Sequence, residues 1–141
     1  MPSVMPLSTS ECERLLRAGV FGRLGLTTLR GPEIVPVNYA VVDDAIVVRT
    51  APSSLVATYA DRAPIVFEVD LVDHERWQGW SVVARGVGRC VADRDVPGLL
   101  PRSWADGERT TLVRLAWTEL TGRRIGTGWD CLAAMPVRQV L

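Results

Sequence analysis

The 141-residue chain contains no lysine: its sixteen basic residues are all arginine, and sixteen acidic residues balance them to a formal net charge of +0. Without lysine there is no amine for a Schiff base and no ammonium group to meet a phosphate. Any bound anion must be held by arginine, hydroxyls or backbone N–H groups. The cancelled charge and a pI near 6.6 leave no basic excess, so no nucleic-acid partner is expected. Histidine is almost missing too. His74 lies alone in the charged stretch VDHER, without a second imidazole or a nucleophile elbow, which argues against a metal site and a catalytic triad. Cys12, Cys90 and Cys131 are far apart and form no CxxC, the pattern of reduced thiols in a reducing compartment. No apolar run reaches the roughly 18 residues that cross a bilayer, and Met1 is not followed by a basic segment and an apolar signal core. The expectation is a cytoplasmic protein with no membrane partner.

What is present suits one folded domain over residues 1–141. Hydrophobic residues make up 48% and charged residues 23%, enough apolar material to build a core without staples. Ser8-Thr9-Ser10-Glu11 is a capping-box pattern, followed by Cys12, Leu15 and Leu16 at helical spacing and a stop at Gly19. Val20 to Leu29 reads as a strand, turned by Arg30-Gly31-Pro32-Glu33 into Ile34 to Val42, which returns through Ala45 to Thr50. Pro52-Ser53-Ser54 predicts the start of a short helix, Leu55 to Ala60. Further strands are expected at Pro64 to Leu71, at Trp80 to Val91 with bends or bulges at Gly86 and Gly88, and at Thr110 to Leu120. Val96 to Trp104 reads as a short helix or loop. These elements predict a mainly β fold, a six-stranded antiparallel barrel with two or three short helices. The apolar surplus for so small a barrel suggests a buried surface between two copies.

One stretch, Ile34 to Thr50 (IVPVNYAVVDDAIVVRT), concentrates polar groups at its open end. With Asp43-Asp44 as the tip of a two-residue hairpin, counting pairs Val42 with Ala45 and Tyr39 with Val48. One step further, the count sets Asn38 opposite Arg49 and Val37 opposite Thr50. The hairpin then runs into Pro52-Ser53-Ser54. Arg49, Thr50, Ser53 and Ser54 thereby form a candidate phosphate cradle of one guanidinium, hydroxyls and helix-start N–H groups. Trp80 and Ser81 enter the next long strand, where a flat aromatic can stack on a planar ligand or pack in the core. Glu68 and Asp70 share one face of a strand and read as charges at a barrel end. No general acid or base stands out, so the catalytic residues are unassigned.

The order PVNY, turn, RTxxxS, FEVD, GWSVxxxG, a terminal strand and then GRR resembles the flavin-binding split-barrel family, the pyridoxamine 5′-phosphate oxidase-like proteins. The likeness is greatest to their short bacterial branch, which includes nitroimidazole-resistance-type and actinobacterial proteins, and it covers roughly Leu7 to Gly126. It implies a split barrel, a homodimer and flavin mononucleotide (FMN) at the interface, with a deazaflavin as the alternative cofactor and a small-molecule substrate. By the same resemblance, Val37, Asn38 and Tyr39 lie along the ring or ribityl chain, and Arg49, Thr50 and Ser54 at the phosphate end. Trp80 and Ser81 fall near the ring. Two departures are expected to matter. Family members commonly carry a lysine just after the serine of the turn, where this chain has Leu55 or Val56, so phosphate binding would rest on Arg49 with help from Arg62 or Arg85. The chain also ends in MPVRQVL, with Arg138 alone and no histidine, so it is not expected to be a true pyridoxamine phosphate oxidase. The implied activity is redox chemistry on a small electron-poor substrate with hydride from a nicotinamide; a sensing or binding module without turnover is the alternative.

Overall fold

Ser8 caps the first helix as its spacing to Glu11 requires. In the computed structural model, which describes residues 3–92 and 111–126, the Ser8 hydroxyl accepts from the Glu11 N–H at 3.2 Å and the Glu11 carboxylate accepts from the Ser8 N–H at 2.8 Å. Two N–H groups that a helix start leaves orphaned are thereby satisfied. The elements follow in the order β1 (Val4–Pro6), α1 (Thr9–Ala18), β2 (Phe21–Thr28), β3 (Gly31–Val42), β4 (Ala45–Thr50), α2 (Leu55–Ala60), β5 (Pro64–Asp73), β6 (Gln78–Ala92) and β7 (Thr111–Ile125). No helix among the described residues is long and apolar enough to cross a membrane.

Six strands close on one another in the circuit β7-β4-β3-β2-β5-β6 and back to β7, all antiparallel. The expected six-stranded barrel with short helices is therefore the architecture found. The split lies along β7. Its first half, Thr111 to Ala116, pairs with β4, and its far end, Arg123 to Ile125, pairs with β1. Between them no strand among the described residues pairs with β7 on that side, and α1 packs close to β7. Gly122 lies so close to α1 that a Cβ there would come within 2.7 Å of Cys12 Sγ.

Alternation builds the core. Leu24 and Leu26 from β2, Ile46 and Val48 from β4, Phe67 and Val69 from β5, Val82 and Ala84 from β6, and Val113 and Leu115 from β7 all point inward, as the period of two demands. Several bounds differ from the sequence expectation: β3 starts at Gly31, so the turn expected over Arg30–Glu33 shrinks to Leu29-Arg30, and β5 runs on from Leu71 to Asp73. β1 was not foreseen, since three exposed residues ending in proline carry no alternation. β6 begins at Gln78, two residues before Trp80, and β7 continues past Leu120 to Ile125 because its pairing with β6 holds through Gly79–Ile125. The expected irregularity in β6 is present as a register shift between Arg85 and Gly86. Val96 to Trp104, Cys131 and Arg138 lie outside the described residues.

Candidate functional site

The β3–β4 hairpin has the predicted two-residue turn. Asp43 takes φ 54, and the ladder runs Val42–Ala45, Val41–Ile46, Ala40–Val47 and Tyr39–Val48. It stops there, without the two further pairs expected, Asn38–Arg49 and Val37–Thr50. On their other edges, Asn38 pairs with Phe21 of β2, and Arg49 and Thr50 with Leu112 and Thr111 of β7.

The period of two sorts the candidate residues between the two faces. Val37 packs against the core. Tyr39 is 2% exposed, its ring 4.6 Å from that of Phe67, and its hydroxyl donates to the Leu16 carbonyl at 2.6 Å. Its side chain thus ties α1 to the barrel, and Gly19 is required beside it because any Cβ there would strike the phenol. Thr50, 3% exposed, also points inward, and its hydroxyl meets that of Ser54 at 2.6 Å. Ser54 is the N-cap of α2, accepting from the Ala57 N–H at 3.1 Å, while Ser53 beside it is exposed. Asn38 and Arg49 are half-buried on the outer face, as is Ser81.

From Arg49 to Ser81 the path crosses β4, β3, β2, β5 and β6, roughly 19 Å at about 4.8 Å per strand spacing. The candidate residues therefore form a band around one side of the barrel, with the Thr50–Ser54 turn at one end and Trp80-Ser81 at the other. Of the two arginines expected to help Arg49, neither adjoins β4. Arg85 faces Glu119 across the β6–β7 ladder. Arg62 follows α2 at φ 57 and donates its backbone N–H to the Gly88 carbonyl at 2.8 Å.

At the Trp80 end the wall opens into a cavity of about 540 Å³, lined by His74, Trp77, Gln78, Trp80, Ser81 and Arg123 together with Asp70, Asp73 and apolar side chains. Trp80 is 3% exposed, and its buried Nε1 has no hydrogen-bond partner among the described residues. A buried donor left unsatisfied is costly. The two acids in the wall are already engaged. Asp73 accepts from the Glu75 and Arg76 N–H groups at 3.0 and 3.1 Å, and Asp70 is held by Arg23 at 3.4 Å. The cavity thus offers donors and suits a ligand rich in acceptors. Sequence reasoning missed Trp77, which is 69% exposed at the cavity mouth with φ 55. Arg123 entered the sequence reading only within the GRR motif and was given no role at the site.

Beside the cavity, Arg23 bridges Glu68 at 2.9 Å and Asp70 at 3.4 Å. Burial, and then repulsion from Asp70, push the Glu68 carboxyl above the ordinary value, more than Arg23 pulls it down. Arg23 is held charged by its bond to Glu68 and by both acids. Burial raises the Cys12 and Cys90 thiols, which are free, so neither is an activated nucleophile. No group of three or more metal-binding side chains occurs among the described residues.

Residues 8–124 match the sequence profile of a family described as pyridoxamine 5′-phosphate oxidase. An uncharacterized protein of Mycobacterium tuberculosis is 33% identical over 130 residues, 86% of each chain. Among solved structures, the FAD-binding protein of Mycobacterium smegmatis is 34% identical, with a TM-score of 0.68 over 86% of this chain and 98% of that one. An FAD-binding protein of Mesorhizobium loti shares the fold at 21% identity, with a TM-score of 0.69 over 89% of this chain and 99% of its own.

Proposed function

The chain belongs to the pyridoxamine 5′-phosphate oxidase family, and from that membership we propose that it binds a flavin nucleotide and acts as a small flavin-dependent oxidoreductase. The observation that carries the reading is the 34% identity to an FAD-binding protein matched over 98% of its length. Donors accessible on the outside of the barrel stand at both ends of the band: the Arg49 guanidinium and the Ser53 hydroxyl at one, Ser81 and Arg123 at the other. Arg49, Thr50, Ser53 and Ser54 would meet the phosphate end. Val37, Asn38 and Tyr39 would lie along the ribityl chain or ring through the strand that carries them, with Trp80 and Ser81 at the ring. A bound flavin supplies the electron chemistry; the residues bind and orient it.

The sequence resemblance names FMN, the Mycobacterium smegmatis relative favours the dinucleotide, and a deazaflavin is the third cofactor of the same shape. The substrate is a small molecule other than pyridoxamine phosphate, and the working unit is a homodimer. A single experiment tests the reading: absorbance of the protein as purified, followed by mass spectrometry of whatever heat releases. An oxidised-flavin spectrum with FMN or FAD in the supernatant is the expected result, and a shifted spectrum identifies the deazaflavin. A colourless protein that takes up none of the three on titration overturns the proposal. Consumption of a nicotinamide donor by the loaded protein then separates an enzyme from a binding module.

A further inference from the structure

Next to the β5–β6 turn, four strands present two rungs of side chains to the outside of the barrel. Register sets Val4 of β1 beside Ile125 of β7, Ile125 beside Gly79 of β6, and Gly79 beside Val72 of β5. Residues directly opposite share a face. The next rung on that face holds Arg123, Ser81 and Asp70 in the same strand order. It is the outer face, because the alternate residues Val69 and Val82 belong to the core. Val4, Ile125 and Val72 are exposed, and Gly79 between them has no side chain. The apolar rung is therefore hollow at its centre, and this hollow floors the cavity of about 540 Å³. Trp77 of the turn lines the same cavity, exposed and with φ 55. Glycine or asparagine would hold that left-handed backbone at less cost than a bulky residue. An exposed indole contributes little to a core, so what this position provides is a flat apolar face at a ligand-sized cavity.

Charge decides what the cavity takes. Arg123 makes no ion pair among the described residues. The acids in the wall are occupied: Asp70 by Arg23 at 3.4 Å, and Asp73 by the Glu75 and Arg76 N–H groups. Arg76 itself lies 3.9 Å from Asp73. An anion entering the cavity meets a whole guanidinium fork, with the Ser81 hydroxyl directly across the ladder as a second donor. A cation would meet carboxylates that are already satisfied. We propose that the hollow binds a small aromatic carboxylate, with its ring over Gly79 and against Trp77 and its carboxylate on Arg123 and Ser81. A planar body suits a floor that lacks one side chain between Ile125 and Val72. That this molecule is the substrate rests on the flavin reading, which puts the flavin ring at Ser81, one strand from Arg123. The site itself does not depend on a flavin.

The test uses the full chain, with Arg123→Gln, Trp77→Asn and, as a control in the β2–β3 turn, Arg30→Gln. Calorimetric titrations with 2-naphthoate, its neutral amide and 2-naphthylmethylammonium are paired with thermal melts. The carboxylate should bind the parent roughly tenfold or more tightly than the amide, and the ammonium most weakly. Arg123→Gln should remove the preference for the carboxylate and leave amide affinity unchanged, while the control alters neither. Trp77→Asn should weaken carboxylate and amide alike yet melt no lower than the parent, whereas an indole kept for stability would lower the melting temperature. With FMN or FAD bound, 2-naphthoate should still bind, and should shift the flavin absorbance in the parent but not in Arg123→Gln. Equal 2-naphthoate affinity in the parent and Arg123→Gln overturns the proposal, as does an ammonium that binds more tightly than the carboxylate. Competitive displacement of 2-naphthoate by the flavin also overturns it, since the cavity would then be the cofactor's own. Binding of 2-naphthoate through Arg123 in a chain that takes up no flavin supports the site and removes the flavin reading instead.

Discussion

Arg23 holds two carboxylates whose repulsion would otherwise fall on Glu68. Replacing it with glutamine should raise the Glu68 pKa further. For a group whose folded pKa is raised, stability is present below the unfolded value and is lost as pH rises through the folded one. The variant should therefore be destabilised at neutral pH and should approach the parent in acid, where Glu68 carries its proton in both. With Arg23 nearly half exposed, the neutral-pH cost is roughly 1 kcal/mol or less after solvent screening, read from urea denaturation at two pH values. A second residue-scale expectation concerns Leu55. It is 49% exposed whereas Val56 is 3% exposed, so position 55 can take a lysine without opening the core. Leu55→Lys should tighten FMN several-fold and leave riboflavin unchanged, and the gain should shrink in high salt. Arg49→Ala should weaken flavin nucleotide binding by about tenfold or more, while Arg30→Ala in the β2–β3 turn changes it little. Equal losses from the two would count against the placement of Arg49.

At the scale of elements, α2 approaches β6 most closely at Gly88. Gly88 exchanges hydrogen bonds with the turn after the helix, accepting from the Arg62 N–H at 2.8 Å and donating to the Ala63 carbonyl at 3.0 Å, with the Ala60 carbonyl against its Cα. Gly88→Ala should force α2 outward and cost about 1–3 kcal/mol, visible as a lower urea midpoint; an unchanged midpoint would mean that the turn yields freely. The same elements show what a one-dimensional reading can reach. The register from Val42–Ala45 to Tyr39–Val48 was legible because a two-residue turn sets the parity of every pair behind it. The Ser8–Glu11 box and the Ser54 cap were legible because capping is local. The place of β1 and the pairing of β4 with β7 were not, since each depends on strands brought together by closure. The orphaned Trp80 N–H belongs with these: a tryptophan at a strand entrance reads the same whether or not its indole finds a partner.

At the scale of the whole molecule, the outer surface carries apolar side chains that one barrel does not cover. Ile34, Phe21 and Val87 are exposed on β3, β2 and β6, and a groove of about 620 Å³ runs past Ile34, Val66 and Val87. A second copy burying this surface would satisfy the apolar surplus. Light scattering at micromolar concentration should give about twice the 15.5 kDa chain mass; the mass of a single chain would exclude the dimer. Ile34→Glu should shift the equilibrium toward monomer without unfolding the barrel, because that side chain is 72% exposed within one copy.

The way β7 stitches the barrel also governs how a newly made chain can fold. β4, β6 and β1 each await it as a partner, yet all three leave the ribosome before it does. During that interval the β2–β3–β4 and β5–β6 portions can pair and collapse, but both flanks carry unpaired backbone, the condition under which strands from different chains join. Closure must then bring Ala45 to Ala116 across the intervening chain, a contact distant in sequence and correspondingly slow to form. Co-translational aggregation, rather than instability of the finished barrel, is thus the hazard built into this topology.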